Sequence, residues 1–223
     1  MILTVPEFLT DSEVQTLRDI AAHGQFIDGS ATGGRAGRVI KRNEQLQFTD
    51  EAVGIINKMI QGAIQRNEDV QNFAWPRCVN TPLISRYAPG MEYGGHFDNP
   101  ILFSRRGEPL RSDISMTVFL SVPGDYDGGE LHLDTPFGSQ KIKLPAGHAF
   151  LYPTTMYHRV TPVSKGIRLA AVTWIQSLIK EPDRRQILYD LARARQAFRD
   201  NRHQGGKHLH KAFSNLIKLW SEV

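Results

Sequence analysis

The chain has 223 residues, 40% of them hydrophobic, and a formal net charge of +4. That length can bury a sizeable core, as one domain with an appendage or as two small domains, and the composition excludes a disordered chain. A single cysteine, Cys78, excludes an internal disulfide framework and any cysteine-based zinc site, and fits a reducing compartment. No apolar run reaches the roughly 18 residues of a membrane span, and the opening MILTVPEFLTDSE lacks the basic region of a signal peptide. A soluble, cytoplasmic protein without a membrane partner is expected. Residues 181–223 hold nine Lys/Arg against five Asp/Glu, so the basic excess belongs to the tail and the rest is neutral. A solvated helix face is the commoner meaning of such a tail, and contact with nucleic acid or an acidic partner the sharper one.

In chain order, Thr10-Asp11-Ser12-Glu13 has capping-box spacing, with Leu17, Ile20 and Ala21 following at helical period, which predicts a helix over 11–22. Residues 28–37, DGSATGGRAG, have four glycines and no periodicity, and read as a mobile loop. This loop lacks the Gly-Lys-Ser/Thr ending of a phosphate loop. Arg35, Arg38, Lys41 and Arg42 would be its solvated charges, or would let it close over an anion. Val53, Ile56, Met59, Ile60, Ala63 and Ile64 predict a second amphipathic helix over 50–66. Each helix has one apolar face and should back a sheet.

After Phe73 the pattern changes to short β-type runs at 81–88, 114–122, 129–135, 140–144, 148–152 and 167–178. Ile114, Met116, Val118, Leu120 and Val122 alternate with Ser115, Thr117, Phe119 and Ser121, the period of a strand with one buried face. Several short strands at this spacing indicate a mainly β sandwich or barrel with flanking helices. Past Leu178 a helix is predicted over 183–199, then a break at Gly205 and Gly206 and a short last helix over 213–220. The expected division is a body at 1–178, with its β core at about 78–178, and a helical appendage at 179–223.

The chemistry centres on residues 86–100, RYAPGMEYGGHFDNP. Side chains at i and i+2 of a strand share a face, so His96 and Asp98 can offer an imidazole nitrogen and a carboxylate oxygen to one metal ion. Two histidines and one carboxylate on one face hold a non-haem iron with open positions opposite. About one His-x-Asp/Glu match is expected by chance in this composition, and there are two, the second being His132-Leu133-Asp134. The choice turns on a second histidine. In a jelly roll, ligand-bearing strands are neighbours in space but enclose several strands in sequence, and His158 lies four strand-like runs beyond His96 but only two beyond His132. The set is therefore His96, Asp98 and His158, with His132 at a sheet position. His203, His208 and His210 read as polar surface, since i and i+2 on a helix do not face each other.

Arg168 begins an otherwise apolar strand face with Ala170, Val172 and Trp174. A buried guanidinium needs a partner. An internal acid is one answer, and the carboxylate of a bound co-substrate, gripped by two parallel hydrogen bonds, is the one preferred beside this ligand set.

His96-x-Asp98, His158 and Arg168 together resemble the iron(II)- and 2-oxoglutarate-dependent dioxygenases. Arg86-Tyr87-Ala88-Pro89-Gly90, Tyr93, Gly128-Gly129-Glu130-Leu131 and Pro145-x-Gly147 narrow the resemblance to the prolyl 4-hydroxylase-like branch. Chain length, N-terminal helices and tail are similar to the bacterial PKHD-type hydroxylases, also called iron-uptake-associated hydroxylases. The resemblance implies a double-stranded β-helix, with Fe(II) on His96, Asp98 and His158, and 2-oxoglutarate on Arg168 and Tyr87. Core packing is the alternative for Tyr87, and Tyr93 is a further candidate contact. The activity implied is hydroxylation of a peptidyl or small-molecule C–H bond by dioxygen, with release of succinate and carbon dioxide and with L-ascorbate (vitamin C) as an optional reductant. The body has no obvious insertion for gripping a nucleobase, which argues against a nucleic-acid-directed oxygenase. A non-catalytic, cupin-like metal sensor is the other alternative. Residues 99–111 and the glycine-rich loop would form the substrate rim. The amphipathic tail could dock on its own body or on a second copy, which leaves an oligomer open.

Overall fold

The computed structural model describes residues 1–32, 39–47, 49–198 and 204–222. Arg35, Arg38, Arg199, Arg202 and His203 lie outside the described residues, as does most of the glycine-rich stretch. What is described of that stretch is not loop alone, because Gln25–Asp28 is a strand and Gly29–Thr32 a 3-10 turn.

The fold is mainly β with flanking helices: two antiparallel sheets stacked as a jelly roll. The large sheet runs in the order Leu3–Val5, Ala149–Pro153, Ile114–Phe119, Arg168–Ser177, Leu83–Tyr87, Glu44–Gln47, Gln25–Asp28. The small sheet runs Gly138–Ile142, Leu131–Thr135, His158–Val160, Glu92–His96, Lys41–Arg42. Early strands therefore pair with late ones in both sheets, as a double-stranded β-helix requires.

Helices α1 (Asp11–His23), α2 (Asp50–Arg66) and α3 (Glu68–Ala74) back the outer face of the large sheet. Thr10 caps α1: its hydroxyl accepts from the Glu13 backbone N–H while the Glu13 carboxylate accepts from the Thr10 N–H, closing the predicted box. Leu17, Ile56, Ile60 and Phe73 pack with Ile114, Met116 and Val118 into one apolar layer. A second layer between the sheets holds Phe119, Leu131, Leu133, Phe150 and Tyr152.

Three expectations are corrected. The strand Ile114–Phe119 is buried on both faces, because it lies in the middle of a sheet with helices on one side and the second sheet on the other. Its polar residues, Ser115 and Thr117, face the interior of the roll and are themselves buried. The last helix, α5 (Gln204–Trp220), starts before Gly205 and Gly206 and not after them. Those glycines occupy its first turn, while Phe213, Leu216, Ile217 and Trp220 supply packing against Trp75 and against Leu188 of α4 (Pro182–Ala197) that outweighs their poor propensity. Finally, Lys41 and Arg42, expected among the solvated charges of a loop, form the strand Lys41–Arg42, which with the strand Glu44–Gln47 lies in a segment too polar to show a strand pattern, and Lys41 is buried.

No helix among the described residues is long and apolar enough to cross a membrane.

Candidate metal centre and co-substrate pocket

His96 is the last residue of Glu92–His96, and His158 the first of His158–Val160. The two strands pair directly, with His158 opposite His96, so a separation of 62 residues in sequence becomes a contact of rings 4.3 Å apart. Asp98 lies two residues past the end of its strand, so alternation along a strand does not place it. Ser115 does: its hydroxyl, from the central strand of the opposite sheet, donates to Asp98 Oδ2 and leaves Oδ1 turned to the histidines. Oδ1 is 4.0 Å from His96 Nε2 and 3.8 Å from His158 Nε2. One ligand atom from each residue lies within 4.8 Å of the others, the single such group among the described residues.

The backbone fixes which nitrogens face inward. His96 Nδ1 lies 2.8 Å from the Gly94 carbonyl and His158 Nδ1 3.0 Å from that of Met156. A carbonyl only accepts, so each Nδ1 carries the proton and each Nε2 presents its lone pair to the centre. Burial, reinforced by the facing His158, pushes His96 down to about 4, so it is neutral at physiological pH and ready to ligate. Tyr93 stacks on His96 at 3.7 Å, and Tyr152 meets His158 edge-on at 5.1 Å, holding both imidazoles in place. Two imidazole nitrogens and a carboxylate oxygen are a donor set that fits iron(II).

The cluster lines a cavity of about 450 Å³ together with Tyr87, Thr117, Tyr152, Val172, Trp174 and Arg168. Arg168 starts the strand Arg168–Ser177, directly opposite Tyr87. It is only 2% exposed, and among the described residues no carboxylate pairs with it. Its Nε has no hydrogen-bond partner, and its charge rests over the rings of Tyr87 at 5.1 Å and Phe119 at 5.6 Å. The internal salt bridge weighed from sequence is thus not found. Tyr87 is buried, and burial raises its phenol while the nearby guanidinium pulls the other way. The cavity can therefore take a small dianion whose far carboxylate meets Arg168.

His132 occupies the sheet position expected of it. It stands opposite Arg159, one residue out of step with Leu133 and His158, so strand alternation turns it away from the pocket and towards the Arg159 guanidinium 3.3 Å away. His210 lies on α5 and meets Arg195 at 2.8 Å. Of the rim residues, Asn99 and Leu102 line the cavity. Arg111 is drawn away by Asp113 and Glu222, both at 2.8 Å, and Arg105 reaches Asp50 at 3.2 Å. Sequence reasoning missed the site roles of Ser115 and Tyr152, placed Trp174 only as a neighbour of Arg168 on a strand face, and named Lys41 only as a loop charge, solvated or closing over an anion. The alternation of 114–122 held the signal for Ser115, since a hydroxyl in the middle of a buried strand needs a partner.

A model of the 2OG-Fe(II) oxygenase superfamily matches residues 82–176, the span that carries the whole cluster and Arg168. A PKHD-type hydroxylase of Synechococcus sp. (strain JA-2-3B'a(2-13)) is 41% identical over 228 residues, covering 100% of both chains. Another, of Thermosynechococcus vestitus, is 39% identical over 229 residues with the same full coverage. Among solved structures, a Pseudomonas putida prolyl-4-hydroxylase superposes with a TM-score of 0.53 at 19% identity, over 79% of this chain and 92% of that one. A Trichoplax adhaerens prolyl hydroxylase, in complex with a hypoxia inducible factor peptide fragment, gives 0.57 at 20% identity, over 84% and 86%. These two likenesses speak for the fold. The chain is an iron(II)- and 2-oxoglutarate-dependent dioxygenase of the 2OG-Fe(II) oxygenase superfamily. Within it, the chain belongs to the PKHD-type hydroxylases.

Proposed function

We propose that this dioxygenase hydroxylates a C–H bond of a peptidyl or small-molecule substrate, with iron(II) held by His96, Asp98 and His158 and 2-oxoglutarate anchored by Arg168 and Tyr87. The observation that carries the assignment is the buried, unpaired guanidinium of Arg168 in the same cavity as the ligand cluster. A lone buried cation is costly, and the distal carboxylate of 2-oxoglutarate would complete it with a bidentate pair. A metal sensor without co-substrate gives that arginine no role.

Iron bound at the three ligands supplies the redox chemistry by which dioxygen, 2-oxoglutarate and a C–H bond become succinate, carbon dioxide and a C–OH group. The chain's own residues do the positioning. The Gly94 and Met156 carbonyls hold the imidazole tautomers, and the Ser115 hydroxyl holds Asp98. Arg168 and Tyr87 would hold the co-substrate in the cavity that the ligand cluster also lines. The walls of Val172, Trp174 and Leu131 keep water from the reacting atoms. Phe97, 61% exposed, and Tyr157 form an aromatic pair at the mouth, where Asn99 and Leu102 also lie, and this rim would receive the substrate.

The same proposal keeps 1–178 as the catalytic body with 179–223 as a helical appendage, a cytoplasmic location, and L-ascorbate as an auxiliary reductant. The experiment is anaerobic iron reconstitution followed by oxygen-dependent succinate release across candidate peptides, amino acids and metabolites. Release should require iron and 2-oxoglutarate and vanish in His96→Ala; full coupled turnover in that variant would sink the assignment.

A further inference from the structure

A second buried cation shares the cavity. Lys41, 7% exposed, stands opposite Tyr93 at the edge of the small sheet, with its ammonium 5.1 Å from the Tyr93 ring centre. Tyr93 in turn stacks on His96, so Lys41 lies on the far side of His96 from His158. Its Nζ donates to Thr32 Oγ1 at 2.6 Å, and that hydroxyl donates to Gln45 Oε1 at 2.9 Å. An ammonium has three N–H donors, and among the described residues Thr32 takes one and no carboxylate pairs with the charge. The placement is built into the backbone: a Cβ on Gly94 would come within 3.0 Å of Ile40 Cβ, so the glycine lets the Lys41 strand lie close against the ligand strand. Burial pushes the amine down to about 8 against the pull of Asp98 and Asp28, which still leaves it mainly protonated at neutral pH.

Arg168 starts a strand of the other sheet. It packs with Tyr87 and Phe119 on the large sheet, whereas Lys41 sits with Thr32, Gln45 and Tyr93 beside the ligand cluster. A co-substrate anchored at Arg168 leaves the ammonium with free donors and, among the described residues, no carboxylate in salt-bridge contact. We propose that Lys41 is the substrate-recognition residue and that the hydroxylated molecule carries a carboxylate which pairs with it. The substrate class is then organic acids and acidic or free-carboxylate peptides. The inference rests on the placement of 2-oxoglutarate at Arg168 proposed above.

The test uses the full chain loaded with manganese(II) and 2-oxoglutarate, with benzoate and its neutral isostere benzamide as probes, followed by paramagnetic relaxation of the probe protons. Benzoate should bind about tenfold more tightly than benzamide, the worth of one charge-assisted hydrogen bond. The preference should disappear in Lys41→Met and persist in Lys41→Arg. Equal behaviour of the two probes on the wild-type chain, including no enhancement from either, overturns the proposal without any variant needing to fold. Survival of the preference in Lys41→Met also overturns it. So does a loss of 2-oxoglutarate affinity in Lys41→Met as large as that in Arg168→Met, since Lys41 would then belong to the co-substrate. If Arg168→Met binds 2-oxoglutarate normally, it is the co-substrate assignment that fails, and the wild-type probe comparison still reads Lys41.

Discussion

Replacing Arg168 with methionine should move stability and ligand response in opposite directions. The guanidinium is 2% exposed with no carboxylate partner among the described residues, and the Tyr87 and Phe119 rings offset part of its desolvation. Methionine keeps the apolar stem in place, so in the absence of co-substrate the variant should be as stable as wild type or more stable by about 1–2 kcal/mol. Its response to 2-oxoglutarate should be lost. Two charge-assisted hydrogen bonds at about 1.5–3 kcal/mol each correspond to an affinity drop of roughly 10²–10⁴. Thermal melts of the metal-loaded protein under nitrogen provide the assay. At about 100 times its dissociation constant, 2-oxoglutarate should stabilise the wild-type chain by about 2.7 kcal/mol, or roughly 5–10 °C for a chain of this size. The same concentration should leave Arg168→Met within about 1 °C of its ligand-free melt. An equal upward shift in both proteins would refute the reasoning.

Further outcomes follow from other contacts. Ser115→Ala removes the hydroxyl that holds Asp98 Oδ2; metal affinity should fall about 10–100-fold by titration, as for loss of a group that orients a ligand, and unchanged affinity would mean Asp98 is held by other means. Lys41 titrates at about 8 when folded and at its ordinary 10.5 when unfolded, so between those values the unfolded chain binds the extra proton. Stability of the metal-free protein should therefore rise across that window, by on the order of 3 kcal/mol more than in Lys41→Met; parallel stability curves in urea would contradict this. Gly128 has φ +73 and a Cβ there would lie 2.1 Å from the Pro162 carbonyl oxygen. Gly128→Ala should cost about 2 kcal/mol or more, and a melting temperature equal to wild type would show that the Tyr126–Gly128 ribbon can relax.

Features governed by local rules were legible in the sequence. The cap at Thr10 and the apolar stripe of 53–64 mark α1 and α2 in the sequence, because capping and helical periodicity are read within a few turns. His96, His158 and Arg168 could be ranked because a jelly roll brings distant strands together, and the pairing of His158 with His96 is that closure. What stayed hidden depends on tertiary surroundings. The segment from Lys41 to Gln47 reads as polar, yet Lys41 and Gln45 are buried because the fold closes them round the cavity of the ligand cluster. Alternation along the strand gave Asp98 the right destination for the wrong reason, since the strand stops at His96 and a serine across the roll aims the carboxylate. Gly205 and Gly206 looked like a break because propensity says nothing of the packing of Phe213 on Trp75.

The most direct measurement of the central claim sets the two candidate histidines against each other. Anaerobic iron(II) titration of wild type, His158→Ala and His132→Ala should give one equivalent of tightly bound iron in wild type and in His132→Ala, and none in His158→Ala. Iron retained by His158→Ala, or lost from a folded His132→Ala, would contradict the assignment of the metal centre to His96, Asp98 and His158.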